Sequence, residues 1–213
     1  MKFTVINVEQ GTPEWLAARM GRVTGSRAKD VLAQGRTKGT EAVARRDYRI
    51  ELLCERLTKK PAEQGFISKE MEWGTEQEPF ARMAYEAQTG LIVRETGFLR
   101  ADDVMVGASV DGDIDDFHGI VEIKCPKTAT HLKWLTAGKI PDEHLPQITH
   151  NLWVSGAEYL EFISYDSRLP EHLQLFIRRI YADTLDMAAH ESEVMAFLRE
   201  LEAMERQLMP VAA

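Results

Sequence analysis

The sequence predicts an α/β fold: a mixed central β-sheet flanked by helices on both faces. Apolar periodicity runs as helices, about three strands, a helix, two strands and a final helix. The strand over 120–125 is apolar except at Glu122 and Lys124, as expected of a strand covered on both faces. The 213 residues are 44% hydrophobic and contain no internal repeat, low-complexity tract or linker, so residues 1–213 are expected to form a single domain with a real core.

The elements follow in order. A short strand is expected over 3–8. Thr12, Pro13 and Glu14 give an N-cap, a proline at the first helical position and an acid in the first turn, so a helix over 14–20 should stop at Gly21. Ser26 reads as the cap of a helix over 27–34, ended by Gly35. Residues 36–39 form a basic loop. Thr40 reads as the cap of a long helix over 41–59, with Ala44, Tyr48, Ile50, Leu52, Leu53 and Leu57 at core spacing. A loop over 61–68 precedes a helix over 69–88, capped by Gly90 and interrupted near Thr75 because of Gly74 and Pro79. Strands are expected over 91–99 and 104–110, a polar turn over 113–119 and a strand over 120–125. Then come a helix over 128–137, a loop over 138–143, a helix over 145–155 and strands over 159–165 and 173–180. A long amphipathic helix over 183–207 ends the chain, with Leu185, Ala189, Val194, Phe197, Leu201, Met204 and Leu208 on its apolar side.

Composition narrows the function. No run of 18 apolar residues spans a membrane, and the first residues lack the long apolar region of a signal peptide, so a cytoplasmic protein is expected. Two cysteines, Cys54 and Cys125, make neither a disulfide framework nor a Cys-rich metal site. The net charge of −8 argues by itself against nucleic acid, but the first sixty residues are net basic and the remainder correspondingly more acidic. A phosphate-binding surface would draw on that N-terminal third.

The stretch 107–127 carries the chemistry. Asp111 closes an apolar run, and Glu122 and Lys124 share one face of the next strand, with Ile123 opposite. A hairpin or crossed pair of strands brings two carboxylates and an ammonium together. Carboxylate oxygens suit Mg²⁺ or Mn²⁺, and a nearby lysine can orient or deprotonate a water, the parts of metal-assisted phosphodiester hydrolysis. The same residues also fit a turn rich in Asp and Gly beside a strand with a solvated Glu–Lys face. The apolar flanks favour the first reading, since charges on a buried strand need partners.

Asp111 followed by Glu122-Ile123-Lys124 resembles the PD-(D/E)xK nuclease signature. Three further segments resemble the phage lambda exonuclease (YqaJ) family: R-M-G-R-V-T-G-S from Arg19 to Ser26, W-G-T-E-Q-E from Trp73 to Glu78, and Q-I-T-H-N-L-W from Gln147 to Trp153. The resemblance implies a restriction-endonuclease-like core. It implies that Asp111, Glu122 and the backbone carbonyl of Ile123 hold Mg²⁺, with Mn²⁺ able to substitute, that Lys124 activates water, and that Glu78 and Gln147 assist. Arg19, Thr24, Ser26 and Ser109 match a pocket for a 5′-phosphate, a role suited to a guanidinium and hydroxyls. Arg36 matches a residue that enters the DNA groove, and Met71 an apolar wedge between base steps. The family further implies a 5′→3′ exonuclease on linear double-stranded DNA, releasing 5′-mononucleotides and leaving a 3′ strand for recombination. A homotrimeric ring and a single-strand annealing protein as partner go with it.

Two departures stand out. Val110 replaces a common proline before the first acid, and His150 replaces a common tyrosine, which leaves the donor on that helix unassigned. Asp113, Asp115 and Asp116 read as turn residues. Two alternatives remain: another PD-(D/E)xK endonuclease, which would cut closed circular DNA, and a catalytically inactive DNA-end-binding recombination protein. An iron–sulfur nuclease is disfavoured because two cysteines cannot supply four cluster ligands.

Overall fold

The computed structural model describes residues 1–37, 39–62 and 68–209. Lys38 of the basic loop and most of the loop expected over 61–68 lie outside the described residues. The first part of the chain runs β1 (Phe3–Ile6), α1 (Pro13–Arg19), β2 (Val23–Thr24), a 3₁₀ turn (Gly25–Arg27), α2 (Ala28–Val31), α3 (Val43–Thr58) and α4 (Lys69–Thr89). Strands β3 (Phe98–Ala101), β4 (Val106–Ser109), β5 (Gly112–Ile114) and β6 (Gly119–Lys124) follow. The chain then forms α5 (Thr128–Ala137), α6 (Leu145–Ser155), β7 (Tyr159–Tyr165), α7 (Glu171–Gln174), β8 (Leu175–Tyr181) and α8 (Met187–Leu208). Among the described residues no helix is long and apolar enough to cross a membrane.

The fold class is as expected, a mixed α/β architecture, but the strands divide into two four-stranded mixed sheets, ordered β1-β3-β4-β2 and β5-β6-β7-β8. The chain crosses from the first sheet to the second at Val110 and Asp111, between β4 and β5. In the second sheet β6 pairs antiparallel with β5 and parallel with β7. Period-two alternation on β6 feeds two cores. Ile120 packs with residues of α3, α6 and α8, whereas Val121 and Ile123 pack against Ala81 and Tyr85 of α4. Glu122 and Lys124 share the face of Ile120.

Several local expectations are corrected. Residues 91–97 form no strand; Arg94 makes only an isolated bridge to Asp113. Asp113 is not a turn acid: it lies in β5, 1% exposed, and accepts two bonds of 3.0 Å from the Arg94 guanidinium. The turn is confined to residues 115–118, with Asp115, Asp116 and Phe117 left-handed. Helix α4 runs unbroken through Gly74 and Pro79. Proline there removes a bond to the carbonyl of Thr75, but Thr75 and Pro79 are exposed and water can serve that carbonyl. Ser26 caps no long helix, since it sits inside the 3₁₀ turn ahead of a four-residue α2. Helix α3 starts at Val43 with Ala42 as cap, not at Thr40. Its core face is Tyr48, Leu52, Leu53 and Arg56, while Ala44, Ile50 and Leu57 are exposed with Val43. The C-terminal helix begins at Met187 behind another 3₁₀ turn (Ala182–Thr184), and Leu208 is exposed.

Helix α8 lies against α3 and α6 and contributes an unusual buried contact. His190 Nε2 lies 3.2 Å from His150 Nδ1, and His150 Nε2 lies 3.2 Å from the carbonyl oxygen of Gly107 on β4. Burial holds both imidazoles neutral, lowering His150 to about 3 and His190 to about 4. The unfolded chain therefore takes up protons first as the pH falls below about 6.5. The pair's contribution to stability is complete above that pH and is lost as the pH falls toward 4. Taking wild type minus His190→Gln cancels the other titrating groups. This difference in unfolding free energy is expected to drop by about 2 kcal/mol between pH 7.5 and pH 5. A difference constant with pH in denaturant titrations contradicts it.

Candidate active site

The sheet junction places Asp111 beside β6. Its N–H donates to the carbonyl of Val121 at 3.2 Å, and its Oδ2 accepts the N–H of Ile123 at 2.6 Å. Lys124 Nζ forms an ion pair with Glu122 Oε1 on the same strand face. Helix α6 supplies two amides to the same carboxylate. Gln147 Nε2 donates to Glu122 Oε1 at 2.6 Å, and Asn151 Nδ2 to Oε2 at 3.1 Å. Glu122 is 1% exposed, while the Lys124 side chain keeps 29% of its surface open.

The electrostatics of this cluster follow from burial. Burial, with the charge of Asp111 adding to it, pushes Glu78 up to about 7. Burial is also the chief reason Glu122 rises to about 7, against the opposing charge of Lys124. Asp111 is pushed up for the same reason. Burial disfavours the Lys124 ammonium, but Glu122 and Asp111 outweigh it and hold its pKa above the ordinary lysine value. Three carboxylates thus face one ammonium; Arg82, which also acts on Glu78 and Asp111, is paired with Glu95, so the fully ionised group still carries two negative charges in excess.

That excess is the test of fit for a divalent cation, and the donors pass it: hard carboxylate oxygens, low solvent access and a deficit of positive charge. Among the described residues, no three acidic, His or Cys side chains already surround one point closely enough to hold an ion. Glu122 is drawn instead to its lysine and amide donors.

A second constellation adjoins the first. Arg19 Nη1 donates to Ser109 Oγ at 3.1 Å, and Nη2 to Thr24 Oγ1 and Ser26 Oγ, each at 3.2 Å. Trp15 Nε1 donates to Ser109 Oγ at 3.0 Å, and the Arg19 guanidinium lies over the Trp15 ring, 3.9 Å from its centroid. Burial lowers the pKa of Arg19. Trp15, Arg19, Thr24 and Ser26 line an open cleft with Arg22, Arg27, Tyr48, Glu51 and Glu55 on its walls. The four residues Arg19, Thr24, Ser26 and Ser109, drawn from α1, β2, the first 3₁₀ turn and β4, therefore converge. Only Val110 separates Ser109 from Asp111.

Arg36 and Met71 are not brought into either constellation. Arg36 is exposed in the loop closed by the Gln34–Glu41 bridge, and Met71 is 59% exposed in the first turn of α4, not packed in the core. His150, the departure noted in α6, faces Gly107 and His190 rather than Glu122. The next residue, Asn151, supplies the second amide. Neither Asn151 nor Trp15 was singled out from the sequence. The available signal for Asn151 was its spacing of four from Gln147, which puts both on one helix face.

The architecture is the alkaline exonuclease fold. An alkaline exonuclease from Laribacter hongkongensis, LHK-Exo, is 42% identical to this chain with a TM-score of 0.81, over 92% of this chain and 96% of that one. The same figures hold for the complex of LHK-Exo with dAMP. A phage related exonuclease from Haemophilus somnus 129PT has the fold at 15% identity, with a TM-score of 0.66 over 88% of this chain and 96% of that one. No curated protein matches the chain in sequence. The profile of the YqaJ-like viral recombinase domain matches residues 14–158, and the chain belongs to that family.

Proposed function

We propose that the chain is a single-domain 5′→3′ exonuclease on linear double-stranded DNA that releases 5′-mononucleotides and leaves a 3′ single strand. One observation carries the reading: the Arg19 cradle lies two residues along β4 from the acid–lysine cluster. Among the described residues, the side-chain hydrogen bonds of Arg19 go to hydroxyls, so its charge is available to an incoming anion. A terminal phosphate held there places the first phosphodiester over Asp111 and Glu122. The dAMP found with LHK-Exo, a nucleoside monophosphate, has the form of the product expected here.

In this mechanism Asp111, Glu122 and the Ile123 carbonyl would hold the cation. Mg²⁺, or Mn²⁺ in its place, would neutralise the developing charge on the phosphate oxygens. Lys124, held as the ammonium, orients the attacking water from the open side of the cluster and stabilises the hydroxide as its proton passes to Glu78. Glu78, held near neutrality, is suited to pass a proton at the pH of the reaction. Gln147 fixes the Glu122 carboxylate. Arg19, Thr24, Ser26 and Ser109 hold the 5′-phosphate. Exposed Arg36 and Met71 are assigned to the DNA groove and to the end base step. A homotrimeric ring around DNA and delivery of the 3′ strand to a single-strand annealing protein complete the proposal. A ring also suits the net charge, because only its channel need be basic.

The test is digestion of linear duplex labelled separately at its 5′ ends or at its 3′ ends, beside a closed circle, with Mg²⁺ or EDTA. Early release of labelled mononucleotide from both 5′ ends, only with Mg²⁺ and without cutting of the circle, is expected. Loss of label from 3′ ends first, or linearisation of the circle, contradicts it.

A further inference from the structure

We propose that Asn151 is a positioning residue for this reaction: it fixes the Glu122 carboxylate and holds it in line with the phosphate cradle. The inference deepens the exonuclease reading and rests on it. Asn151 is fully buried on α6. A carboxylate only accepts, so the contact with Glu122 Oε2 fixes Nδ2 toward Glu122 and turns Oδ1 the other way. That oxygen is buried and finds no hydrogen-bond partner among the described residues. It lies instead against Gly25, where an added Cβ would come within 2.2 Å of it. Gly25 stands between Thr24 and Ser26, the two hydroxyl residues that share Arg19 Nη2.

A continuous packed path therefore runs from the cradle hydroxyls through the Gly25 backbone and the Asn151 amide to Glu122. Gln147 and Lys124 both act on Oε1 of Glu122, and among the described residues only Asn151 holds Oε2. Without it one oxygen of a buried carboxylate is left unpaired and the group is free to turn. Glycine at 25 is demanded by this approach rather than by its backbone angles. A methyl group there would have to displace Asn151, whereas the Gln147 Cγ atom, 3.5 Å from it, is at ordinary contact distance.

The experiment compares wild type, Asn151→Ala, Asn151→Leu, Gly25→Ala and the double variant Gly25→Ala/Asn151→Ala. The leucine variant keeps the volume of the side chain and removes its donor. Three readouts are taken: kcat and KM on 5′-phosphorylated linear duplex, Ca²⁺ affinity by calorimetry without DNA, and the thermal midpoint. Both Asn151 variants are expected to lose about 10- to 100-fold in kcat and in Ca²⁺ affinity, with the KM for DNA changed less than about threefold. Gly25→Ala is expected to lose as much alone, yet to add less than about threefold in the Asn151→Ala background, where the clash is gone. Strictly multiplicative effects of the two substitutions overturn the proposal. So does unchanged Ca²⁺ affinity in the leucine variant, or the absence of Ca²⁺ binding in the wild type. If the wild type binds Ca²⁺ in an Asn151-dependent way but does not digest linear duplex, the positioning of Glu122 stands and the exonuclease reading fails.

Discussion

Lys124→Ala is expected to lower DNA digestion by about 10³-fold while duplex binding stays within about threefold of wild type. The ammonium pairs with Glu122 and also acts on Glu78 and Asp111, and part of its side chain is open to solvent. Deleting it removes the group that handles the attacking water and leaves Glu122 buried beside amides alone. Removing one member of a buried pair also destabilises the fold, so a thermal midpoint must accompany the assay. Lys124→Arg supplies the control. It keeps the positive charge next to Glu122 and should stay folded, yet a longer, planar guanidinium cannot set a compact point donor on the attacking water as the ammonium does. It is expected to remain at least about 10²-fold below wild type. More than a tenth of wild-type digestion in either folded variant removes Lys124 from the mechanism.

The second large effect concerns the end of the DNA. Wild type is expected to prefer a duplex with a 5′-phosphate over one with a 5′-hydroxyl, and Arg19→Ala to abolish that preference. The loss should be about 10- to 100-fold on phosphorylated ends, as for a charge-assisted pair of hydrogen bonds, with little change on hydroxyl ends. Arg19 is held in place from one side by the Trp15 ring and from the other by three hydroxyls. Arg19→Lys retains a charge but not the planar fork, so it should recover only part of the preference. Competition digests with equal amounts of the two ends give the ratio directly. An unchanged ratio in Arg19→Ala means that the cradle does not read the terminal phosphate.

Much of the site could be read in the sequence because its parts are short-range. Thr12 caps α1, with Trp15 N donating to its hydroxyl at 3.3 Å, and Arg19 follows within two turns. Alternation on β6 alone places Glu122 and Lys124 together. The sheet division was not legible. A strand that leaves one sheet and enters another reads as one apolar run followed by polar residues, so in the sequence β5 reads as a turn. Asp113 was misread for the same reason: the guanidinium that pairs with it is Arg94, 19 residues earlier. Asn151 escaped notice because its meaning depends on a carboxylate 29 residues away. In α3, helical spacing alone does not show which apolar stripe is covered, and α8 covers the one containing Tyr48 and not the one containing Ile50.

The crossing at Val110 has one more consequence. Ser109 belongs to the first sheet, and Asp111 stands at the entrance to the second, with its neighbour Val110 3% exposed and locked in the core. Two residues of chain span at most about 7 Å. Under the proposed function that interval is a ruler: it sets how far from the terminus the bond is cut, whatever the bases are. Product length would then be a property of backbone geometry, independent of sequence and of how fast the enzyme moves along DNA.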